Sequence, residues 1–271
     1  MAFTCVSYNI QYGIGLDGVY DVQRIAGAVR DADIIALQEV TRGSPLNGGV
    51  DMEAALRGLF ADRFAATHLA ADADMGTHVA NGVAVEKRLQ FGNMILSRWP
   101  LRSVRRHLLP RRLRGDQVNL QRGALEAVID APEGALRVYN VHLDHIDAGE
   151  RLEQIAALKT IIADFPARGG AISGVGEFGF AEPPLPEEFL VMGDFNFEPA
   201  SPEHAAMLEG GIVDASAGDT KASWTDSRGN EPDKRLDFCF ASPGLAGRLT
   251  ACRIDSDAAG SDHRPLWTMF G

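Results

Sequence analysis

The sequence predicts an α/β protein built from two packed β-sheets with helices on their outer faces. Three observations carry this. Ten strand-length apolar runs recur along the chain, most of them ending at Gly, Pro, Asp or Asn. Helical periodicity fills only a few of the gaps between them, so strands outnumber helices about two to one. Many strands also follow one another directly, which argues against a regular βαβ barrel and for sheets packed face to face. With 271 residues, 45% hydrophobic and 23% charged, the chain can bury a substantial core and is neither disordered nor fibrous.

In chain order, residues 3–10 give the first strand. Val22, Ile25, Ala26 and Val29 then follow i, i+3, i+4, i+7, with Asp21 placed to cap the helix. Residues 33–38 are the second strand, and Met52, Ala55, Leu56, Leu59 and Phe60 repeat the helical pattern behind Asp51. Strands follow at 82–85, 92–97, 123–129 and 136–143. A longer helix covers 152–162, with Glu150, Glu153 and Lys159 on its wet side. Residues 166–188 hold five Gly and four Pro and read as a loop insertion in a single domain spanning 1–271. Its apolar residues, Phe178 and Phe180 among them, are available to line a substrate lip, unless the insertion has no role. A strand at 189–193 precedes a helix begun by Ser201-Pro202 in N-cap, N1 order, and strands at 236–241, 250–254 and 265–270 close the chain.

The net charge of −11 is a poor start for a general nucleic-acid binder. The bases are clustered, however: residues 98–114 contain seven arginines and no acid. This stretch reads as an irregular solvated segment, a phosphate clamp or a partner contact. Three widely spaced cysteines (Cys5, Cys239, Cys252) with no CxxC indicate reduced thiols rather than a zinc ribbon or a disulfide framework. The first residues lack the basic and apolar regions of a signal peptide, and no apolar run approaches the length of a membrane span, so a cytoplasmic location without an integral membrane segment is expected.

The chemistry is concentrated at strand ends. Asn9, Glu39, His142, Asp194, Asn196, Asp237, Asp262 and His263 each abut an apolar run. A carboxylate there is costly unless it has a partner or a metal. Taken singly, each reads as a turn residue or a satisfied core group. Together they can converge on one cleft. Carboxylate and amide oxygens with no thiolates suit Mg²⁺ or Mn²⁺, and a His held by an Asp is a general-base arrangement. Such a set is the equipment of a phosphoryl hydrolase.

These residues lie in Tyr8-Asn9-Ile10, Leu37-Gln38-Glu39-Val40, Gly92-Asn93-Met94-Ile95-Leu96-Ser97-Arg98, Asn140-Val141-His142-Leu143, Gly193-Asp194-Phe195-Asn196, Arg235-Leu236-Asp237-Phe238 and Ser261-Asp262-His263-Arg264-Pro265. In that order they resemble the exonuclease–endonuclease–phosphatase (DNase I-like) hydrolases over nearly the whole chain. The resemblance implies a four-layer α/β sandwich and a metal-dependent phosphoric ester hydrolase. Glu39, helped by Asn9 and with Asp262 close by, would hold Mg²⁺ or Mn²⁺. His263, oriented by Asp237, would activate water, with Asp194 and Asn196 positioning it and His142 bonding the phosphate. Asn93 and Arg98 would stand on the substrate side. The chain has Glu39-Val40-Thr41 where abasic-site enzymes have Glu-Thr-Lys, and His142 where they have Tyr. A small or lipid-derived phosphate ester is therefore favoured over a DNA or RNA substrate. A binding protein that lost activity on the same fold is the remote alternative.

Overall fold

The computed structural model describes residues 2–115 and 117–271. Its strands are β1 (Phe3–Asn9), β2 (Ile34–Arg42), β3 (Phe64–Asp74), β4 (His78–Ala80), β5 (Val83–Val85), β6 (Arg88–Ser97), β7 (Leu101–Leu108), β8 (Gly123–Ala131), β9 (Gly134–His142), β10 (Phe189–Asp194), β11 (Val213–Asp214), β12 (Asp237–Ala241), β13 (Leu249–Ile254) and β14 (Leu266–Phe270). The helices are α1 (Val22–Val29), α2 (Met52–Leu59), α3 (Ala148–Arg168), α4 (Pro202–Leu208) and α5 (Pro243–Ala246). Two mixed six-stranded sheets form, in the orders β13-β14-β1-β2-β6-β3 and β11-β12-β10-β9-β8-β7, and β4-β5 is a separate hairpin.

The two sheets pack face to face through Cys5, Ile34, Ile95, Leu125, Val138 and Met192. Side chains alternate along a strand. The outward neighbours Val6, Tyr8 and Ile35 therefore meet Ile25 and Val29 of α1 and Leu56 of α2. On the other sheet Tyr139 and Val191 meet Ile155 and Leu158 of α3 and Met207 of α4. The result is four layers, helices–sheet–sheet–helices, as the resemblance implied. Because both faces of the central strands are covered, they read as continuous apolar runs rather than as alternation.

The expected caps form: Asp21 accepts from Arg24 N, Asp51 from Ala54 N and Ser201 from His204 N. Asp147 caps α3, which starts earlier and ends later than expected and runs through Pro166. Four strands were not expected: the short β4 and β11, and the longer β3 and β7. β3 is rich in Ala and Asp, residues depleted in strands. β7 lies inside the arginine-rich stretch; it is a sheet edge, where charged side chains guard unpaired backbone. The loop after α3 does not form a substrate lip. It enters β10 at Phe189, the end opposite Asp194, and Ala171 N donates to Ser103 Oγ at 2.7 Å beside β7.

Candidate active site

The sheet register lines up the chemistry. In the second sheet Asp194 pairs with His142 on one side and with Asp237 on the other, so three functional side chains share one rung of adjacent strands. Gly193 permits this: a Cβ there would lie 1.9 Å from Val141 O. In the first sheet Asn9 ends β1 and pairs with Gln38. The next residue, Glu39, sits on a bulge of β2 with φ +63°, turned out of the ladder and into the space between the sheets. Asn196 takes the same left-handed conformation at φ +54°. Beneath this rim a layer of buried amides ties the sheets together. Asn140 Nδ2 donates to Leu37 O and Met94 O, both at 2.8 Å, and Gln38 Nε2 donates to Asn140 Oδ1 at 2.8 Å.

Asp194 is the hub. Its Oδ2 accepts from Asn9 Nδ2 at 2.9 Å and lies 3.3 Å from His142 Nε2 and 3.6 Å from His263 Nε2. Its Oδ1 accepts from Asn196 N at 3.0 Å, and Asn196 Nδ2 donates to Leu143 O. His263 Nδ1 is 2.8 Å from Asp237 Oδ2; the carboxylate can only accept, so that nitrogen carries the proton. Asn9 also donates to Glu39 Oε1 at 3.1 Å, whereas Glu39 Oε2 is buried with no partner. Asp262 accepts from Trp224 Nε1 and Ser261 Oγ.

Burial, reinforced by the nearby Asp262 carboxylate and resisted by the Asn9 amide, pushes Glu39 up to about 7. Burial likewise lifts Asp194 to about 6, against the pull of His263. For His263 burial works downward, but the Asp237 and Asp194 carboxylates outweigh it and push the ring up to about 10. Burial and Arg122 hold His142 well below the usual histidine range. The Glu39 carboxylate, with an orphaned buried oxygen and with Asp262 close enough to raise its pKa, suits a hard divalent cation. Among the described residues no group of three or more His, Cys, Asp or Glu side chains is arranged to hold a metal ion. An ion here would keep several water ligands, as Mg²⁺ does.

An open cleft of about 470 Å³ collects Glu39, His142, Asp194, Asn196, Asp262 and His263. Asn9 and Asp237 stand directly behind it, bonded to Asp194 and His263. Two expected substrate residues are placed elsewhere. Asn93 is buried between the sheets and donates to Asn140 O at 3.1 Å and Gly123 O at 3.2 Å, so it braces the sheets. Arg98 follows the far end of β6, paired with Asp33 at 2.9 Å, because β6 runs antiparallel to β2 and ends away from Glu39. Trp224 lines the cleft, while Trp267 packs in the core.

Sequence reading missed Arg122, which also lines the cleft. It is 4% exposed; its Nη2 lies 3.1 Å from His145 Nδ1, and its Nε and Nη1 have no partner. The signal was present: Gln121-Arg122-Gly123 opens a strand, but polar residues were sought at strand exits. Tyr12 was missed because it sits in a left-handed turn, φ +54°, after β1.

The model of the Endonuclease/Exonuclease/phosphatase family matches residues 6–263. No curated protein matches the chain. Among solved structures, an endonuclease/exonuclease/phosphatase from Beutenbergia cavernae DSM 12333 is similar at 22% identity and a TM-score of 0.71, covering 99% of this chain and 71% of that one. A mannosyl-6-phosphatase of Bacteroides thetaiotaomicron VPI-5482 is similar at 17% identity and a TM-score of 0.70, covering 98% of each chain. A 3′ phosphatase from Neisseria, bound to a product DNA hairpin, is similar at 18% identity and a TM-score of 0.63, covering 99% of each.

Proposed function

Since the chain belongs to the Endonuclease/Exonuclease/phosphatase family, we propose that it is a divalent-metal-dependent hydrolase of phosphate esters, with small or lipid-derived esters as substrates. The observation that carries this is the row Asp237–His263–Asp194–His142, set against the unpartnered oxygen of Glu39 across the cleft.

Glu39 and Asn9, with Asp262 nearby, would hold the cation, which when bound neutralises charge developing on the phosphoryl oxygens. His263 Nε2 and Asp194 Oδ2, 3.6 Å apart on the cleft wall, would hold the attacking water between them. The water oxygen bonds phosphorus, its proton passes to the Asp194–His263 pair, and the P–O bond to the ester oxygen breaks, that oxygen taking a proton from solvent to leave as the alcohol. Asp237 fixes the His263 ring and stabilises its charge. His142, whose Nε2–H faces Asp194 Oδ2 at 3.3 Å, and the Asn196 amide would bond phosphoryl oxygens in this reading.

The arginine-rich stretch supports the small ester. Arg105 bonds both oxygens of Glu126, Arg98 pairs with Asp33, and Arg112 and Arg114 pair with Asp147. Guanidinium groups so engaged are poor grips for a nucleic-acid backbone. The test is hydrolysis of p-nitrophenyl mono- and diesters, plasmid DNA and RNA with Mg²⁺, Mn²⁺ or EDTA, with Glu39→Ala as control. Metal-dependent ester cleavage with intact nucleic acid is expected. Metal-dependent nicking that weakens steeply with salt would make the protein a nuclease. No turnover with any metal would leave a binding protein.

A further inference from the structure

The rims of the two sheets face each other strand by strand: His263 before β14 opposite Asp237 on β12, Asn9 on β1 opposite Asp194 on β10, Glu39 on β2 opposite His142 on β9, and Phe91 on β6 opposite Arg122 at the start of β8. The first three columns hold the groups assigned above to water, cation and phosphoryl. The fourth has no part in that chemistry, yet it contains a buried guanidinium. Displacement at phosphorus runs in line, so the leaving group departs on the side opposite the attacking water. With water at the His263–Asp194 end and phosphorus over the Glu39–His142 column, that side is the Phe91–Arg122 column. It lies one strand, about 5 Å, beyond His142.

Arg122 is built to be met there. Burying a guanidinium is costly without a partner; this one touches the Phe91 ring at 5.5 Å and His145 Nδ1 at 3.1 Å, while the Glu39, Asp194 and Asp144 carboxylates favour its charge from farther off. Because Arg122 only donates, His145 Nδ1 accepts, which leaves the His145 Nε2–H as a donor on the same wall. Nε and Nη1 of Arg122 are both orphaned; their N–H bonds diverge, so each is a separate charged donor for an anion's oxygens rather than one half of a fork. Val118 and Leu120 line the cleft beside it. We propose that Arg122 and His145 form an anion subsite for the leaving group, so that the substrates are phosphate esters of alcohols bearing a second anionic group, a phosphate or a carboxylate, a few bonds from the scissile oxygen. The inference rests on the phosphate-ester reading and narrows its substrate class.

The test uses three matched esters with metal at saturation: the monophosphate of 1,3-propanediol, propane-1,3-diyl bisphosphate and 3-phosphooxypropanoate. At least a ~10-fold higher kcat/KM is expected for one or both anionic esters over the neutral one, the size expected when a polar site meets or misses its partner. The faster of the two identifies the anion. Arg122→Ala should bring the ratio to about one, and His145→Gln should lower it in part. Equal rates for all three esters with the wild-type protein would overturn the subsite. So would an Arg122→Ala variant that slows all three alike, which would put the guanidinium on the scissile phosphoryl instead. Calorimetric titration with the bisphosphate and the monophosphate gives a readout free of turnover. Tighter binding of the bisphosphate, lost in Arg122→Ala but not in a Glu39→Gln protein, would support the subsite even if no ester were cleaved. Equal affinities would overturn it. Arg122→Lys, which keeps the charge but not the planar array of donors, should hold the fold and still lose most of the preference.

Discussion

Two regions of the molecule concentrate charge, and they use it differently. Along the β7 edge, Arg105 and His107 both reach Glu126, Arg106 donates to Thr67 O, and Arg112 reaches Glu153 and Asp147. At the rim of the sandwich, Glu39 Oε2, His142 Nδ1, Asp237 Oδ1 and two nitrogens of Arg122 are buried without partners. The first region is dense in charge, and four of its seven arginines are paired with carboxylates. The second is smaller and left unsatisfied, which costs stability and is tolerated where a ligand completes the set. Charge density along a sequence is therefore a poor guide to function; burial without a partner is a better one.

The largest expected effects fall on the unsatisfied region. His263→Ala should lower the rate by about 10²–10⁴, the range for loss of a general acid–base group, measured on a p-nitrophenyl ester. Glu39→Gln should abolish metal-dependent turnover and at the same time stabilise the metal-free protein. The sign follows from linkage: the folded pKa of about 7 lies above the ordinary 4.5, so the folded state holds its proton longer. The stability this gives is present below about 4.5 and lost as pH rises toward 7. Melting in EDTA should then show the variant above wild type at pH 8 and level with it at pH 4. A lower melting temperature at both pH values would show that Glu39 serves the fold.

On the paired side, Glu126→Ala should cost about 3–5 kcal/mol by denaturant unfolding, the usual effect of removing one partner of a buried ion pair. Turnover per folded molecule should not change. A loss of turnover with intact stability would erase the distinction between the two regions.

How much of this was legible in the sequence follows the same division. The rim residues at strand exits could be found because a polar group ending an apolar run is conspicuous, and central strands covered on both faces give such runs. Arg98 follows β6 at the pole away from the cleft, and sequence alone does not say which pole holds it; Asn93, one rung from the Glu39 bulge, is near the cleft's pole but buried between the sheets. Arg122 escaped for the converse reason, entering its strand at the active pole. β3 and β7, both sheet edges, lacked the apolar signal because an edge strand is covered less.

One buried group outside the cleft sharpens the comparison by pH. His68, on the bulge of β3, has an unpartnered Nδ1, and burial together with Arg106 pushes it down to about 4. Between 6.5 and 4 the unfolded chain binds the proton and the folded one does not, so His68 erodes stability as pH falls through that window. His68→Gln should flatten the acid limb of the stability curve without changing turnover at neutral pH. A limb of unchanged slope would mean that His68 accepts its proton in the folded state.

The smallest effect is expected where charge is most visible. Arg112 is exposed and shares its guanidinium between Glu153 and Asp147. Exposed pairs gain little, because solvent screens them and two long side chains lose freedom to meet. Arg112→Ala should therefore leave the melting temperature, the rate on small esters and the slope of that rate against salt as they are in wild type. If the salt slope fell in this variant, Arg112 would be drawing an anionic substrate toward the cleft. The β7 edge would then have to be counted with the active site rather than against it.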